Sequence, residues 1–432
     1  MHTPSADKHI PTPGEHTPSP DKPAAGGSRA TFARWTVRLA VLGVAAVLLT
    51  PLAGGGQAPR WVPGASALVA LGALLAWHPA GWVTLAGLVF AAVAVLKGRW
   101  FCRWVCPMGT CAEVASRAAA RLGCRSPHLA PVGQWLAVGT LAGALLGWPV
   151  FVWLDPLAIF TSGVGVLGLA EKRAGYAQAA LLFFVMGASF LLPGTWCGRL
   201  CPLGGLQELL AAVGRWRPGY AAGEVKGNAR RPLARRAILG GLLGLAGAAV
   251  LRRTATRAAP PLRPPGAVPE PLFGGLCVRC GNCVRVCPPG IVFPATAGAP
   301  LAWLLTPVLR FGENYCLETC VRCTEVCPSG ALAPVMLPTK ARAPVGLAEV
   351  DLTLCLRAQD QECALCRARC PYDAIAFVFS EEEYVSVPRV DPARCPGCGA
   401  CEVACPTAPR KAISVRPLAV GQQKPVSTKR KD

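Results

Sequence analysis

Residues 277–288 read CVRCGNCVRVCP, which is the spacing Cys-x2-Cys-x2-Cys-x3-Cys-Pro. Three more runs end in Cys-Pro before residue 407, and the second and third of the four runs have a wider first gap. Sixteen of the 22 cysteines belong to these runs: Cys277, Cys280, Cys283, Cys287, Cys316, Cys320, Cys323, Cys327, Cys355, Cys363, Cys366, Cys370, Cys395, Cys398, Cys401 and Cys405. In two-cluster ferredoxins, the cysteine before proline binds the neighbouring cluster. The runs therefore predict four [4Fe–4S] clusters.

Two other uses of cysteine compete with iron–sulfur clusters as an explanation of these runs. Paired CxxC motifs also bind zinc, and cysteines outside the cytoplasm form disulfides. Neither use calls for three closely spaced cysteines followed by Cys-Pro, four times over. The spacing leaves open which runs exchange their last cysteine. Neighbouring runs could pair, or the first could pair with the fourth and the second with the third.

Composition divides the 432 residues into a membrane half and a soluble half. The mean hydropathy is +0.39, and apolar residues are concentrated before residue 252. The net charge is +21, but Lys and Arg mostly flank apolar segments, as the positive-inside rule describes, so we predict no nucleic-acid partner. The predicted divisions are a disordered tail (1–28), two membrane half-repeats (29–128 and 129–214), a basic stretch with an anchor helix (215–251), a Pro-rich linker (252–271), a polyferredoxin domain (272–415) and a basic tail (416–432).

The predicted fold is a membrane α-helical bundle followed by an α+β ferredoxin-like domain. Four spans fit residues 35–53, 80–97, 129–154 and 175–195, with a short re-entrant or interfacial piece at 64–77. Residues 374–379 and 412–415 are predicted to be short strands. Lys97, Arg99 and Arg103 follow the second span, so that end should be cytoplasmic. We therefore expect a multi-pass protein of the inner membrane with a cytoplasmic N-terminus.

A second cysteine motif marks the internal repeat of the membrane half. Cys102-x3-Cys106-Pro-Met-Gly recurs 95 residues later as Cys197-x3-Cys201-Pro-Leu-Gly. Both copies follow a predicted span at the same face, which suggests two pseudo-symmetric halves. Their four thiols are candidate ligands for one further cluster. Alternatively, each pair serves a separate site, with Cys111 added to the first.

A fifth apolar stretch, 237–251, follows the basic residues Arg235 and Arg236. This stretch is similar to a degenerate twin-arginine export signal, and it also fits a simple anchor helix with a cytoplasmic basic flank. Both interpretations carry the chain across the membrane. The polyferredoxin domain is accordingly expected in the periplasm.

Three segments of the soluble half carry a resemblance to a known family: Leu262-Arg-Pro-Pro-Gly-Ala267, Cys277-Val-Arg-Cys280-Gly-Asn-Cys283 and Cys327-Pro-Ser-Gly-Ala-Leu332. They resemble the ferredoxin-type proteins NapG, of periplasmic nitrate reduction, and MauM, of methylamine utilisation. The membrane half resembles NapH, the membrane partner of NapG, and more loosely NosR and CcoG-type oxidase accessory proteins. In that family the two parts are usually separate polypeptides, so this chain looks like a fusion of them.

The resemblance implies a membrane-bound quinol dehydrogenase subunit joined to its ferredoxin. The quinol pool would supply electrons, and the acceptor would be periplasmic, such as a c-type cytochrome or a molybdenum reductase of nitrate-type respiration. The sixteen cysteines match the ferredoxin ligands, and Cys102, Cys106, Cys197 and Cys201 match the membrane element. The alternative is an iron–sulfur accessory protein that serves the maturation or redox regulation of a metalloenzyme.

Quinol oxidation requires a proton acceptor beside an apolar slot. Ionisable groups within the membrane or at its edge are functional candidates by default, and three qualify: His78, Asp155 and Glu171. Asp155 precedes Pro156 and equally fits a helix cap.

Overall fold

The computed structural model of this chain describes residues 27–50, 56–78, 81–124, 130–166, 176–214, 230–296, 298–381 and 384–418. The first half is helical: α1 (Gly27–Leu49), α2 (Trp61–Gly64), α3 (Ala67–Leu75), α4 (Trp82–Lys97), α5 (Trp100–Trp104), α6 (Pro107–Arg121), α7 (Val132–Leu145), α8 (Pro156–Val166), α9 (Tyr176–Leu191), α10 (Pro202–Gly214) and α11 (Arg230–Arg257). A π-helical turn, Trp196–Leu200, precedes α10. Only residues 27 and 28 of the predicted tail at 1–28 are among the described residues, and Glu171 lies outside them.

Within the described part of the chain, two helices are long and apolar enough to cross a membrane, α1 over Thr31–Leu49 and α11 over Ala237–Arg257. Residues 58–64 and Ala67–Leu75 form a pair bent by 86°, where a re-entrant piece was predicted. The predicted second and fourth spans correspond to α4 and α9, each of 16 residues. At 1.5 Å per residue these helices are about 24 Å long, somewhat less than a hydrocarbon core of about 30 Å.

The predicted third span, 129–154, is not one helix. α7 ends at Leu145, the chain turns at Gly147 with φ of 74°, and a 3-10 turn, Val152–Leu154, leads into α8. The two halves of the bundle therefore share a plan, in which each contains a short inner helix, α3 or α8. The multi-pass bundle of four spans and an anchor stays a prediction.

α11 packs into the bundle along a seam of glycines. Gly139 and Gly143 of α7 lie against Gly240 and Gly244 of α11, and both pairs have the small-xxx-small spacing of closely packed membrane helices. A Cβ at Gly244 would lie 2.1 Å from the Gly139 carbonyl oxygen. The predicted anchor is thus a packed member of the bundle and more than a tether.

The second half is built from short elements around the cysteines. Its helices are α12 (Leu272–Leu276), α13 (Asn282–Arg285), α14 (Arg322–Glu325), α15 (Leu365–Ala368) and α16 (Ala400–Ala404). Its strands β1 (Val292–Pro294), β2 (Pro307–Leu309), β3 (Leu347–Val350), β4 (Ile375–Ser380), β5 (Val385–Val390) and β6 (Ile413–Arg416) form three antiparallel pairs, β1–β2, β3–β6 and β4–β5. The registers set Val292 opposite Leu309, Val350 opposite Ile413 and Ile375 opposite Val390. The strands predicted at 374–379 and 412–415 are confirmed as β4 and β6.

The two halves pack against each other at the carboxyl end of α1. Asn282 Nδ2 donates to the Pro59 carbonyl at 3.0 Å, and Arg60 Nη1 donates to the Glu325 carbonyl at 3.1 Å. The Arg279 guanidinium lies 5.4 Å from the centre of the Trp153 ring. We call this end of the bundle the ferredoxin end. The opposite end, where Cys102, Cys106, Cys197 and Cys201 lie, is the cysteine end.

Candidate functional site

The first two cysteine runs exchange their last cysteines. Cys277, Cys280, Cys283 and Cys327 line one small pocket, which we call site A. Cys287 joins the second run, because Cys316 and Cys323 both lie within electrostatic range of Cys287 and Cys320. We call this second group, Cys287, Cys316, Cys320 and Cys323, site B. Of the pairings left open by the spacing, the structure shows exchange between neighbours.

The third and fourth runs exchange in the same way. Cys398 and Cys401 lie within electrostatic range of Cys370 and Cys395, and these four form site C. Cys355, Cys363, Cys366 and Cys405 line another pocket, site D. Each group of four thus takes three cysteines from one run and the last cysteine from its partner run.

The four groups follow one another from the bundle outward in the order A, B, C, D. Sites A and B meet at Cys283, which lies near Cys323. Sites B and C meet where the Cys316 amide donates to the Cys398 carbonyl at 2.9 Å. Sites C and D share one buried core with Ile375, Ile413 and Val415. A linear order of this kind suits stepwise electron transfer.

The pockets suit a bound iron–sulfur cube. Burial raises the pKa of the Cys280 thiol to about 12, so the bare thiol keeps its proton at neutral pH. Binding iron replaces that proton, and the thiolate is the form that ligates. Within the described ranges, no three His, Cys, Asp or Glu side chains are close enough to hold a single metal ion. A cube presents four separate irons, so its ligands need not converge on one point.

Backbone geometry and a buried lysine support these loops. Gly399 has φ of 85°, and a Cβ there would lie 2.4 Å from the Phe311 ring, so only glycine fits beside site C. Lys340 is 5 % exposed, and its Nζ donates to the Leu317 carbonyl and, at 2.7 Å, to the Cys320 carbonyl. The sequence analysis missed Lys340, because one lysine in a Pro-rich loop carries no local signal.

At the cysteine end, the structure brings the four repeat cysteines together. Cys106 lies within electrostatic range of Cys102, Cys197 and Cys201. The two copies match in detail, since the Gly109 amide donates to the Cys106 sulfur at 3.3 Å and the Gly204 amide donates to the Cys201 sulfur at 3.4 Å. We call Cys102, Cys106, Cys197 and Cys201 the helical site. Their convergence favours one shared site over two separate ones.

Polar side chains that the sequence analysis missed surround the helical site. Arg99 forms an ion pair with Glu208, at 3.2 Å between Nη1 and Oε1, and donates to the Cys197 carbonyl. Gln207, 1 % exposed, forms a hydrogen bond with the Cys102 thiol. Cys111 lies near Cys197 but is not needed to complete the group of four.

Asp155 joins the two inner helices at their amino-terminal ends. Its Oδ1 accepts the Leu157 and Ala158 amides at 3.0 and 3.2 Å, so it caps α8. Its Oδ2 accepts the Ser66 hydroxyl, and Ser66 caps α3. The cap interpretation of Asp155 is therefore confirmed. Its role as a proton acceptor stays a prediction, as does that of the half-buried His78.

The inner helices lie between the helical site and site A. Asp155 is fully buried and acts electrostatically on Cys102 and Cys201. A few residues on, Ala158 packs in one buried group with Val69 and with Cys280 of site A. The start of α8 therefore lies near both groups of cysteines.

Comparison with known proteins identifies cluster-binding domains in both halves. The 4Fe-4S dicluster domain family matches residues 276–331, which hold sites A and B. A family described as a 4Fe-4S binding domain matches twice, at residues 79–124 and 175–220, around the helical site. A second family with the same description matches residues 387–413. The chain therefore contains 4Fe-4S binding domains.

Three relatives show how the chain compares with whole proteins. The methylamine utilization ferredoxin-type protein MauM of Methylophilus methylotrophus is 37% identical over 37% of this chain and 72% of its own length. The ferredoxin-type protein NapG of Escherichia coli (strain K12) is 35% identical over 45% of this chain and 88% of its own length. The ferredoxin-type protein NapH of the same strain is 29% identical over 35% of this chain and 53% of its own length. No solved structure matches the chain.

Proposed function

Because the chain belongs to the ferredoxin-type protein family of MauM and NapG, an iron–sulfur electron-transfer family, we propose that it connects the quinol pool to a periplasmic redox partner. The observation that carries the proposal is the placement of its cysteines. One group of four lies at the cysteine end of the bundle, and four more groups extend outward in a row from the ferredoxin end. Such an arrangement is suited to moving electrons from one face of a membrane to the other.

The proposal assigns one [4Fe–4S] cluster to each group of four cysteines. The donor sets fit, since each consists of four thiols, and cubes are held by four cysteines. When bound, such clusters supply one-electron transfer. Quinol oxidation releases two electrons and two protons, so the electrons must leave one at a time. The chain contributes the order of the sites, their burial, and polar neighbours such as Arg99 and Lys340 that adjust their potentials.

The proposed topology follows from α1 and α11. Arg34 and Arg38 lie near the amino-terminal end of α1, at the cysteine end, where Arg99 and Arg103 also lie. Under the positive-inside rule this end is cytoplasmic. The ferredoxin end is then periplasmic, within reach of a c-type cytochrome or a molybdenum reductase. Three arginines in the last two turns of α11, Arg252, Arg253 and Arg257, run against this rule, but the four arginines at the cysteine end outnumber them.

Iron content and quinol-driven reduction test the proposal. The full chain, purified anaerobically, should bind about twenty irons if all five groups are filled, and a water-soluble quinol should bleach its absorbance in the visible range. Iron-free protein, or iron-loaded protein that dithionite reduces and quinol does not, would contradict the proposal. A reporter fused after residue 432 locates the ferredoxin domain, and a cytoplasmic signal would reverse the topology.

A deletion strain distinguishes electron transfer from an accessory role. If the periplasmic reductase is present with its cofactors but receives no electrons, the electron-transfer proposal holds. If the reductase lacks its cofactors, the chain serves maturation instead.

A further inference from the structure

Arg285 of α13 reaches from the ferredoxin half into the membrane half. Its Nη1 donates to the Leu49 carbonyl, the last carbonyl of α1, at 3.5 Å. Its Nη2 donates to Oδ1 of Asn282. On the other side the guanidinium packs against Gly165 of α8, where a Cβ would overlap it. Arg285 is therefore held by the carboxyl-terminal ends of two helices of the membrane half.

The charge of the half-buried Arg285 has no carboxylate partner among the residues that the structure describes. Its hydrogen bonds go to a backbone carbonyl and a side-chain amide, which are neutral groups. Arg263, by contrast, is paired with the carboxylate of Glu270 at 2.6 Å. The ends of α1 and α8 supply partial negative charge, which holds the Arg285 side chain in place. Its full positive charge remains free to act on a charged neighbour.

Site A is that neighbour. Cys283 belongs to the same short helix as Arg285, and Cys280 and Cys283 both lie within electrostatic range of the guanidinium. A cubane held by four thiolates carries net negative charge, and reduction adds one more electron to it. A fixed cation nearby stabilises the reduced form more than the oxidised form, so it raises the reduction potential. Because a guanidinium keeps its proton throughout the working pH range, this effect is always present.

We propose that Arg285 is a positioning residue that raises the reduction potential of the cluster at site A, and that α1 and α8 of the membrane half hold its charge in place. The inference rests on the proposed function, since it concerns the cluster nearest the bundle. A raised potential at that point favours the acceptance of electrons from a mild donor such as quinol. The membrane half thereby sets the potential of a cluster whose four cysteines all belong to the other half.

A redox titration of the full iron-loaded chain in lipid nanodiscs, followed by electron paramagnetic resonance, tests the inference. The signal that Cys277→Ala removes identifies site A, because Cys277 belongs to this group whether or not the runs exchange their last cysteine. Arg285→Gln removes the charge and keeps a hydrogen-bonding side chain. It should make reduction at site A about tenfold less favourable, which is about 59 mV for one electron and the order expected for one nearby charge. Arg285→Lys keeps the charge and should retain most of the potential.

A variant of the membrane half tests the placement of the charge without removing it. In Gly165→Ala the new Cβ overlaps the Arg285 side chain from Cδ to Nη1, a flexible group that can move aside. The guanidinium then leaves its place, and the potential at site A should fall in the same direction as in Arg285→Gln. Gly187→Ala is the matched control, because a Cβ at that position of α9 meets no atom within 4 Å. It should titrate like the wild type.

Iron content equal to that of the wild type shows that each variant is folded. The inference is overturned if Arg285→Gln leaves the potential at site A unchanged, or if Arg285→Lys lowers it as far, since the charge is then not the cause. An unchanged potential in Gly165→Ala overturns the part assigned to α8. Quinol-driven reduction of the wild type tests the proposed function separately, because dithionite serves the titration whether or not quinol donates. A wild-type chain without iron would overturn both.

Discussion

Replacing Cys327 by Ala should empty site A, although Cys327 belongs to the second cysteine run. In the structure Cys327 lines the same pocket as Cys277, Cys280 and Cys283. Its nearest neighbour in its own run, Cys323, lies with Cys287 in site B. Single variants do not separate this arrangement from one in which each run is self-contained, because each predicts the loss of one cluster. Pairs of substitutions do separate them.

The expected magnitude follows from counting irons. Each emptied site removes about four irons. Cys277→Ala with Cys327→Ala should therefore remove about four irons in total, since both act on site A. Cys323→Ala with Cys327→Ala should remove about eight, since they act on sites B and A. Self-contained runs predict the reverse, eight for the first pair and four for the second.

Iron and acid-labile sulfide, measured per protein after anaerobic purification, give the result directly. Electron paramagnetic resonance of the dithionite-reduced protein identifies which signal is lost. Equal iron loss in the two double variants would refute the assignment of sites A and B. Because site A is nearest the bundle, Cys327→Ala should also block quinol-driven reduction of sites B, C and D while dithionite still reduces them.

Four other predictions test the packing and the polar groups. Arg263→Met removes a guanidinium that is bonded to the buried Glu270 at 2.7 Å. The loss of one partner of a buried ion pair should cost about 3–5 kcal/mol of stability, which should appear as faster proteolysis of the ferredoxin domain. An unchanged proteolysis rate would contradict this prediction. Gly244→Ala should lower the melting temperature in detergent, because its Cβ would overlap the facing helix. Gly241→Ala should leave the melting temperature unchanged, since its Cβ would lie 3.9 Å from the nearest atom, in Val138. Equal changes in the two variants would argue against the glycine seam. Asp155→Asn preserves the helix cap and should retain quinol-driven reduction, while Asp155→Ala should lose about 1 kcal/mol of stability. If the Asn variant keeps its full iron content but is no longer reduced by quinol, Asp155 is a proton acceptor instead. Lys340→Met removes a positive charge beside site B and should lower the reduction potential of one cluster by an amount on the order of tens of millivolts. A redox titration followed by electron paramagnetic resonance measures this shift.

The cysteine sites were predictable because their signal is local. Three cysteines within seven residues form a binding loop wherever the rest of the chain goes, so Cys277, Cys280 and Cys283 could be grouped from spacing alone. Cys327 could not be assigned in that way, because its place depends on how two runs fold back on each other. The repeat of Cys102 and Cys106 at Cys197 and Cys201 left open whether the two pairs share one site. The packing of α6 against α9 and of α10 against α7 brings the four cysteines together.

The helix lengths were harder to predict. Uncharged stretches show where a chain can be buried, but they do not show where it turns, so the break after α7 at Gly147 was missed.

The contact between Asn282 and Pro59 joins two parts whose relatives NapG and NapH are separate chains in Escherichia coli (strain K12). A short Pro-rich connection after Arg257 keeps these surfaces at an effective concentration in the millimolar range, even before any attraction between them is counted. Encounter then becomes a first-order event whose rate is independent of how many copies the cell makes. Dilution and added salt, which slow transfer between separate donors and acceptors, should leave the hand-over within this molecule unchanged.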